Sequence, residues 1–84
     1  MKEIDNSVRL EYDACEMEYD LIMEFVRLRK KANMSQQAVA DNSEVIRTTI
    51  ARVENHMNSP QIKTFLKMLE PLGYTLRIEK IKKK

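Results

Sequence analysis

Residues 35–54 read SQQAVADNSEVIRTTIARVE, and this stretch decides the fold of the chain. It contains two short helical patterns that are separated by a turn at residues 42–44. The apolar residues of both patterns occur only where two crossing helices would touch. They are Val39 and Ala40 in the first pattern, and Val45, Ile46, Ile50 and Val53 in the second. The stretch therefore predicts two crossing helices, at about residues 36–42 and 46–55.

The side chains that remain outside on the second helix are cationic and hydroxyl groups. They are Arg47, Thr48, Thr49 and Arg52. Such groups suit DNA phosphates and the edges of bases, and Ser35 is a suitable N-cap for the first helix. We interpret the pair as a helix-turn-helix motif whose second helix, the recognition helix, enters a DNA major groove.

The composition argues against several other classes of protein. A chain of 84 residues makes one domain, and its single glycine leaves no material for a Gly-rich phosphate loop. Cys15 and His56 each stand alone, so the sequence offers no disulfide framework, thiolate zinc cluster or Cys–His nucleophile pair. We therefore predict no enzyme, no cofactor and no metal. Because no long apolar run is present, we expect a cytoplasmic chain without a signal peptide or membrane span.

The charge is divided between two opposite parts of the chain. Residues 1–24 hold two Lys or Arg against eight Asp or Glu, a net charge of −6, whereas residues 25–84 carry a net charge of +8. One interpretation is an acidic and a basic helical surface that are both merely solvated. The other is two binding surfaces, a basic one for nucleic acid and an acidic one for a basic protein.

The acidic part is predicted to form two helices. The first ends near Cys15 and has too few apolar residues to be stable in isolation. It therefore either packs on its own domain or binds a partner protein. The second, at about residues 16–32, has an apolar stripe. Its ladder is Met17, Leu21, Phe25, Leu28 and Ala32. The cations at residues 29–31 either complement the helix dipole or reach phosphates.

The C-terminal part is predicted to contain one more helix and one strand. Ser59 and Pro60 suit the N-cap and first position of a helix that runs to about residue 69 or 72. Its core-facing residues are Ile62, Phe65, Leu66, Leu69 and Leu72. Gly73 suits a left-handed C-cap, and in the glycine-free loop at residues 55–58 Asn or His must adopt that conformation.

Residues 74–81 alternate with a period of two, which predicts a strand that has no partner in its own chain. Antiparallel pairing with the same strand of a second copy would satisfy its backbone and bury apolar side chains. The dimer residues would be Tyr74, Leu76 and Ile78. A frayed tail is the alternative.

These expectations define a mainly α fold with four to five helices and one C-terminal β-strand that pairs across a homodimer. We predict a single domain, 1–84, with three segments. Residues 1–15 form an acidic partner-binding helix, residues 16–72 form the helix-turn-helix core, and residues 73–84 form the dimerisation strand and a basic tail.

Several motifs occur together in this order: Arg29, SQ at 35–36, Ala40, IxxVE at 50–54, SP at 59–60 and LGY at 72–74. With them, residues 21–81 resemble the Xre family of Cro/repressor-type helix-turn-helix regulators. The acidic N-terminal extension and the single closing strand most resemble HigA-type antitoxins. The chain departs from the family pattern at the turn glycine, which is Glu44 here, and at the N-cap of the recognition helix, which is Ile46.

The resemblance implies a set of DNA contacts. Gln36 would contact a phosphate and brace the recognition helix, and Arg47 and Thr48 would read bases. The remaining DNA contacts would be Thr49, Arg52, Asn55 and Asn58. It also implies an antitoxin that represses its own operon as a homodimer on double-stranded operator DNA and neutralises a small basic RelE/HigB-like toxin, an mRNA-cleaving endonuclease.

The division of charge places the toxin-binding surface on the acidic N-terminal region. The apolar anchors would be Val8, Tyr12, Met17 and Tyr19, and the countercharges would be Glu11, Asp13, Glu16, Glu18 and Asp20. Two alternatives stay open. One is a stand-alone repressor of a phage or mobile element that has no toxin partner. The other is a toxin-capturing interaction protein that has lost DNA binding.

Overall fold

The computed structural model describes residues 2–78, with side chains from residue 14 onwards, and all of its regular structure is helical. Four helices follow one another: α1 (Lys2–Lys31), α2 (Gln36–Ser43), α3 (Arg47–Glu54) and α4 (Ile62–Leu69). A 3₁₀ turn, Glu70–Leu72, closes the domain. The predicted helix pair therefore corresponds to α2 and α3, and α3 is the recognition helix.

The N-terminal region is one helix rather than the two that the sequence predicted. α1 contains 30 residues without a break, so the predicted boundary near Cys15 is wrong. The physical reason is that its sequence contains neither glycine nor proline, and residues 13–17 therefore offer nothing that would stop a helix. α1 ends on Arg29, Lys30 and Lys31, which complement the helix dipole.

Within residues 2–78, no helix has the combination of length and apolar character that crossing a membrane requires.

The core lies between the C-terminal half of α1 and the three short helices. Phe25 of α1 is fully buried, and its ring lies 6.0 Å from that of Phe65 of α4. The other buried apolar residues are Ile22, Leu28, Val39, Val45, Ile50, Val53, Met68 and Leu69. Ile46 and Ile62 were predicted to face inward and do not, because they lie at helix N-termini and are 67% and 72% exposed.

Polar groups and left-handed residues define the helix ends. The Ser35 hydroxyl accepts a hydrogen bond from the Ala38 N–H at 3.0 Å, so the predicted N-cap of α2 is confirmed. Glu44 ends α2 with φ of 64°, the conformation for which a glycine would be the usual residue. Gly73 has φ of 85°, as the sequence predicted, and of the Asn and His residues left open for the loop at residues 55–58 it is His56 that is left-handed, with φ of 59°.

The C-terminal elements differ from the prediction in two respects. α4 is capped by Gln61 rather than Ser59, so it begins two residues later than predicted. Residues 74–78 have no regular secondary structure, and the rest of the predicted strand, residues 79–81, lies outside the described residues. Leu76 packs against the core, whereas Tyr74 and Ile78 are exposed. Pairing of this segment with a second copy stays a prediction.

Candidate nucleic-acid interface

The recognition helix has one buried and one exposed face. Ile50 and Val53 are buried against α1 and α2, whereas Arg47, Thr48 and Arg52 are exposed. Thr49, the other predicted contact on this helix, is half-buried. Apolar residues at i and i+3 therefore fix the orientation of α3 and present its cations and hydroxyls to solvent.

A largely buried ion pair fixes the C-terminal end of the recognition helix. The Glu54 carboxylate accepts hydrogen bonds from Arg29 Nε at 2.7 Å and from Arg29 Nη2 at 2.9 Å. The two side chains are only 11% and 8% exposed. Arg29 Nη1 also donates to the Met34 carbonyl at 2.9 Å. All three nitrogens of the Arg29 guanidinium therefore donate to groups of this chain. The sequence left two roles open for Arg29, and these hydrogen bonds exclude contact with a DNA phosphate.

Gln36 joins the same cluster from the first turn of α2. Its Nε2 donates to Glu54 Oε1 at 2.8 Å, so one carboxylate connects residues of α1, α2 and α3. A side chain held in this way braces the recognition helix against the rest of the motif. The contact between Gln36 and a DNA phosphate stays a prediction.

The loop that follows the recognition helix is held by backbone hydrogen bonds and by an aromatic contact. The Met57 N–H donates to the Arg52 carbonyl at 2.9 Å, and the His56 N–H to the Val53 carbonyl at 3.0 Å. The imidazole of His56 stacks on the ring of Tyr19, with centroids 4.5 Å apart and planes 9° apart. Asn55 and Asn58, the predicted phosphate contacts, are both exposed on this loop.

Sequence reasoning missed the contact between Tyr19 and His56. Tyr19 was assigned to the toxin-binding surface, yet one face of its ring is occupied by this chain, although the residue is still 51% exposed. The left-handed conformation of His56 was foreseeable, but a stacking partner 37 positions away in the sequence was not. Helix α1 therefore contacts the loop that we expect to lie on the DNA backbone.

Replacing Tyr19 by alanine is expected to weaken binding to DNA about two- to tenfold, because an aromatic pair contributes about 0.5–1.5 kcal/mol and here orders the loop. Tyr19→Phe keeps the ring and should bind as the wild type does. Fluorescence anisotropy on a duplex, with circular dichroism to verify the fold, measures both variants. Equal affinity of the alanine variant would show that the contact does not organise the loop.

The exposed face of α3 is positively charged, and no carboxylate of residues 14–78 pairs with its cations. Within residues 14–78, neither Arg47 nor Arg52 forms an ion pair, so both guanidinium groups are available to a ligand. The nearby carboxylate of Glu44 is 87% exposed and lies 4.0 Å from Lys67 Nζ. Glu44 stands where the family has a glycine and so adds a negative charge beside the motif. Lys67 offsets part of that charge.

The N-cap of the recognition helix is also unusual in the structure. Ile46 adopts an extended conformation and provides no side-chain hydrogen bond to the first turn of α3. Ser, Thr, Asp or Asn would be expected there. Its aliphatic side chain instead projects into solvent, directly before Arg47.

The acidic surface of α1 lies beside an apolar groove. Among the predicted partner contacts, Glu16, Met17 and Asp20 are exposed, and Glu18 is half-buried. A groove of about 290 Å³ runs between α1, α4 and residue 76. Its apolar lining consists of Ala14, Met17, Leu21, Ile22, Pro60, Ile62, Phe65 and Leu76. The side chains of Val8, Glu11, Tyr12 and Asp13 lie outside the described part of the chain.

Comparisons with known proteins agree with this geometry. A family model described as helix-turn-helix matches residues 26–78. A relative from Haemophilus influenzae, named an uncharacterized HTH-type transcriptional regulator, is 41% identical over 58 residues, which cover 69% of this chain and 59% of the relative. The chain thus spans about three-fifths of the length of that relative. No solved structure matches the chain.

Proposed function

The chain belongs to the helix-turn-helix family, in its Xre-type branch, and from this premise we propose that it is an antitoxin that also regulates transcription. One surface, on α3 and the following loop, binds operator DNA. A second surface, on α1, binds and neutralises a small basic RelE/HigB-like mRNA-cleaving toxin. The two halves of the proposal rest on separate observations.

The DNA-binding half rests on the braced recognition helix. A helix can read bases only if its side chains are held in a fixed orientation, and the contacts of Glu54 with Arg29 and Gln36 supply that support. Arg47 is the side chain best suited to reading a base, because a guanidinium pairs bidentately with O6 and N7 of guanine. Thr48, Thr49 and Arg52 follow on the same helix, and Asn55 and Asn58 would contact phosphates.

A second copy would place two recognition helices on one duplex. Reading half-sites one helical turn apart requires a separation of about 34–36 Å between the two helices. The segment that includes Tyr74 and Ile78 is the proposed dimer contact, because both of these side chains are exposed in the single chain. Leu76 would anchor the segment to the core of its own domain.

The toxin-binding half rests on the part of α1 that extends beyond the core. Ile22, Phe25 and Leu28 attach the helix to the domain, whereas none of the described α1 residues before Ile22 is buried. Met17 is 61% exposed and Leu21 is 42% exposed, directly beside acidic residues. An apolar strip flanked by carboxylates is complementary to a basic protein that has apolar anchors. This observation favours the antitoxin over a stand-alone repressor.

The unpaired cations of α3 distinguish the proposal from an interaction protein that has lost DNA binding. Such a protein would have no use for Arg47 and Arg52 on a braced and exposed helix face. A salt-dependent shift of a duplex in a binding titration separates these two alternatives, because contacts of Lys or Arg with phosphates release counterions and a protein that has lost DNA binding produces no shift.

The toxin contact can be tested by charge reversal on α1. Replacing both Glu16 and Asp20 by lysine is expected to weaken binding to a small basic RelE/HigB-like toxin at least about tenfold, since like charges would then face each other. The double variant should also fail to rescue growth of cells that express that protein. Calorimetry and a growth assay measure the two effects.

Glu70→Lys is the control, because Glu70 is an exposed carboxylate in the 3₁₀ turn after α4 and does not line the apolar groove beside α1. It should bind the basic protein and rescue growth as the wild type does. Retained rescue by the α1 double variant would remove this surface from the proposal. Both variants should still bind DNA, because neither changes α3, the loop that follows it or the Tyr19 ring that stacks on that loop.

A further inference from the structure

One apolar side chain lies where the DNA-binding surface should be polar. Ile46 is 67% exposed at the N-cap of the recognition helix, although its neighbours Val45 and Ile50 are buried and only 7% and 0% exposed. An isoleucine at this position forgoes the hydrogen bond that a Ser or Thr N-cap would accept. It also leaves a branched aliphatic group in water, so the domain gains nothing from it in the absence of a ligand.

The position of Ile46 identifies what it would face. The N-terminal residues of a recognition helix are those that contact base edges in the major groove. Ile46 directly precedes Arg47 and Thr48, the first two residues of α3, and both are exposed. When α3 enters the groove by this end, Ile46 enters with it.

The chemistry of the groove then selects the contact. A side chain made only of carbon and hydrogen cannot bind a phosphate or a base donor or acceptor. The apolar group that the major groove displays is the 5-methyl of thymine. We propose that Ile46 is a specificity-determining residue that packs on the 5-methyl group of a pyrimidine next to the base pair that Arg47 reads, and this inference rests on the proposed DNA binding.

A comparison with Ile62 separates this contact from ordinary surface exposure. Ile62 is exposed to a similar degree, at 72%, but it lines the apolar groove together with Met17 and Leu21. Ile46 does not line that groove. Its neighbours on α3 are the polar side chains of the DNA-binding face, and within residues 14–78 it belongs to no apolar cluster.

Removing single methyl groups from the DNA tests the inference. An operator is first selected with the full-length chain from a library of random duplexes, and each thymine is then replaced by deoxyuridine, which lacks only the methyl. At one position in each half-site, the replacement is expected to weaken binding of the wild type about fourfold, the equivalent of one buried methyl group. Anisotropy titrations at fixed salt measure every duplex.

The variants show which residue reads the methyl. Ile46→Ser and Ile46→Asn restore a cap oxygen and remove both methyl groups of the side chain, so both should lose most of the discrimination at that one position. Ile62→Ala is the matched control and should discriminate as the wild type does. Putting 5-methylcytosine in place of unmethylated cytosine at that position should strengthen binding of the wild type, whereas Ile46→Ser should not respond.

The possible failures are distinguishable. If the wild type selects no operator, the proposed DNA binding itself is wrong. If it selects an operator but no thymine shows an effect of the methyl that depends on Ile46, only the role of Ile46 is overturned.

Discussion

Arg29→Ala is expected to lower the free energy of unfolding by about 3–5 kcal/mol, the range for removing one partner of a buried ion pair. The Glu54 side chain is 8% exposed and would lose the guanidinium that satisfies both of its oxygens. The Met34 carbonyl would lose a hydrogen bond as well. For a domain whose total stability is about 5–15 kcal/mol, this loss removes about a fifth of the stability or more.

Thermal and urea denaturation followed by circular dichroism measure this effect, and the melting temperature should fall by at least about 12 °C. Arg27→Ala is the matched control. Arg27 also lies on α1 and hydrogen-bonds a carboxylate, which lowers the pKa of Glu24, but both side chains are more than half exposed. Water screens such a pair, so its removal should leave the stability essentially unchanged.

Two further variants identify the origin of the loss. Arg29→Lys keeps the charge but cannot hold both carboxylate oxygens in a fork, so it should recover only part of the stability. In Arg29→Met combined with Glu54→Leu, no buried charge is left without a partner, and the double variant should be more stable than Arg29→Ala alone. Equal stability of Arg29→Ala and the wild type would contradict the role assigned to the pair.

Arg47→Ala is expected to weaken operator binding by about 1–3 kcal/mol, which is about five- to 150-fold, and to relax specificity at one base pair. Arg47 is exposed at the first position of α3 and forms no ion pair within residues 14–78, so its removal should leave the stability of the domain unchanged. Titrations against the operator and against its single-base variants measure affinity and specificity together.

Arg52→Ala separates base reading from attraction to phosphate. Arg52 lies in the last turn of the same helix, and its loss should weaken binding to all sequences alike and reduce the salt dependence by about one counterion. Lys63→Ala, on α4, should change neither affinity nor specificity. If Arg47→Ala bound every operator variant as the wild type does, the placement of α3 in the groove would be wrong.

Local sequence was sufficient where a single residue or a short spacing decides the structure. Ser35 was identified as the N-cap of α2 because its hydroxyl can reach an N–H three residues later, and the structure has that hydrogen bond. Gly73 was identified as a left-handed C-cap because glycine has no Cβ, and the glycine-free loop at residues 55–58 limited the other left-handed position to Asn or His, of which the structure has His56. The helical spacing of Val39, Ile50 and Val53 predicted the buried faces of the motif.

Local sequence was misleading where an apolar residue stands at the end of an element. Ile46 and Ile62 fit the spacing of buried faces, but the first turn of a helix projects beyond its neighbours, and both side chains are exposed. The division of α1 failed for the opposite reason. Charge and composition change near Cys15, yet helix continuity depends on backbone hydrogen bonds that these residues do not interrupt.

The sequence by itself determined the helix-turn-helix motif, its buried face and the cations on its outer face, because these features follow from the periodicity of neighbouring residues. Only the tertiary structure decided that Arg29 pairs with Glu54 and that Tyr19 stacks on His56. Both contacts join residues at least 25 positions apart, and no local pattern specifies which distant side chains a fold brings together. The structure likewise decided that Ile46 stands outside the core, because its exposure depends on where α3 begins relative to the helices that cover it.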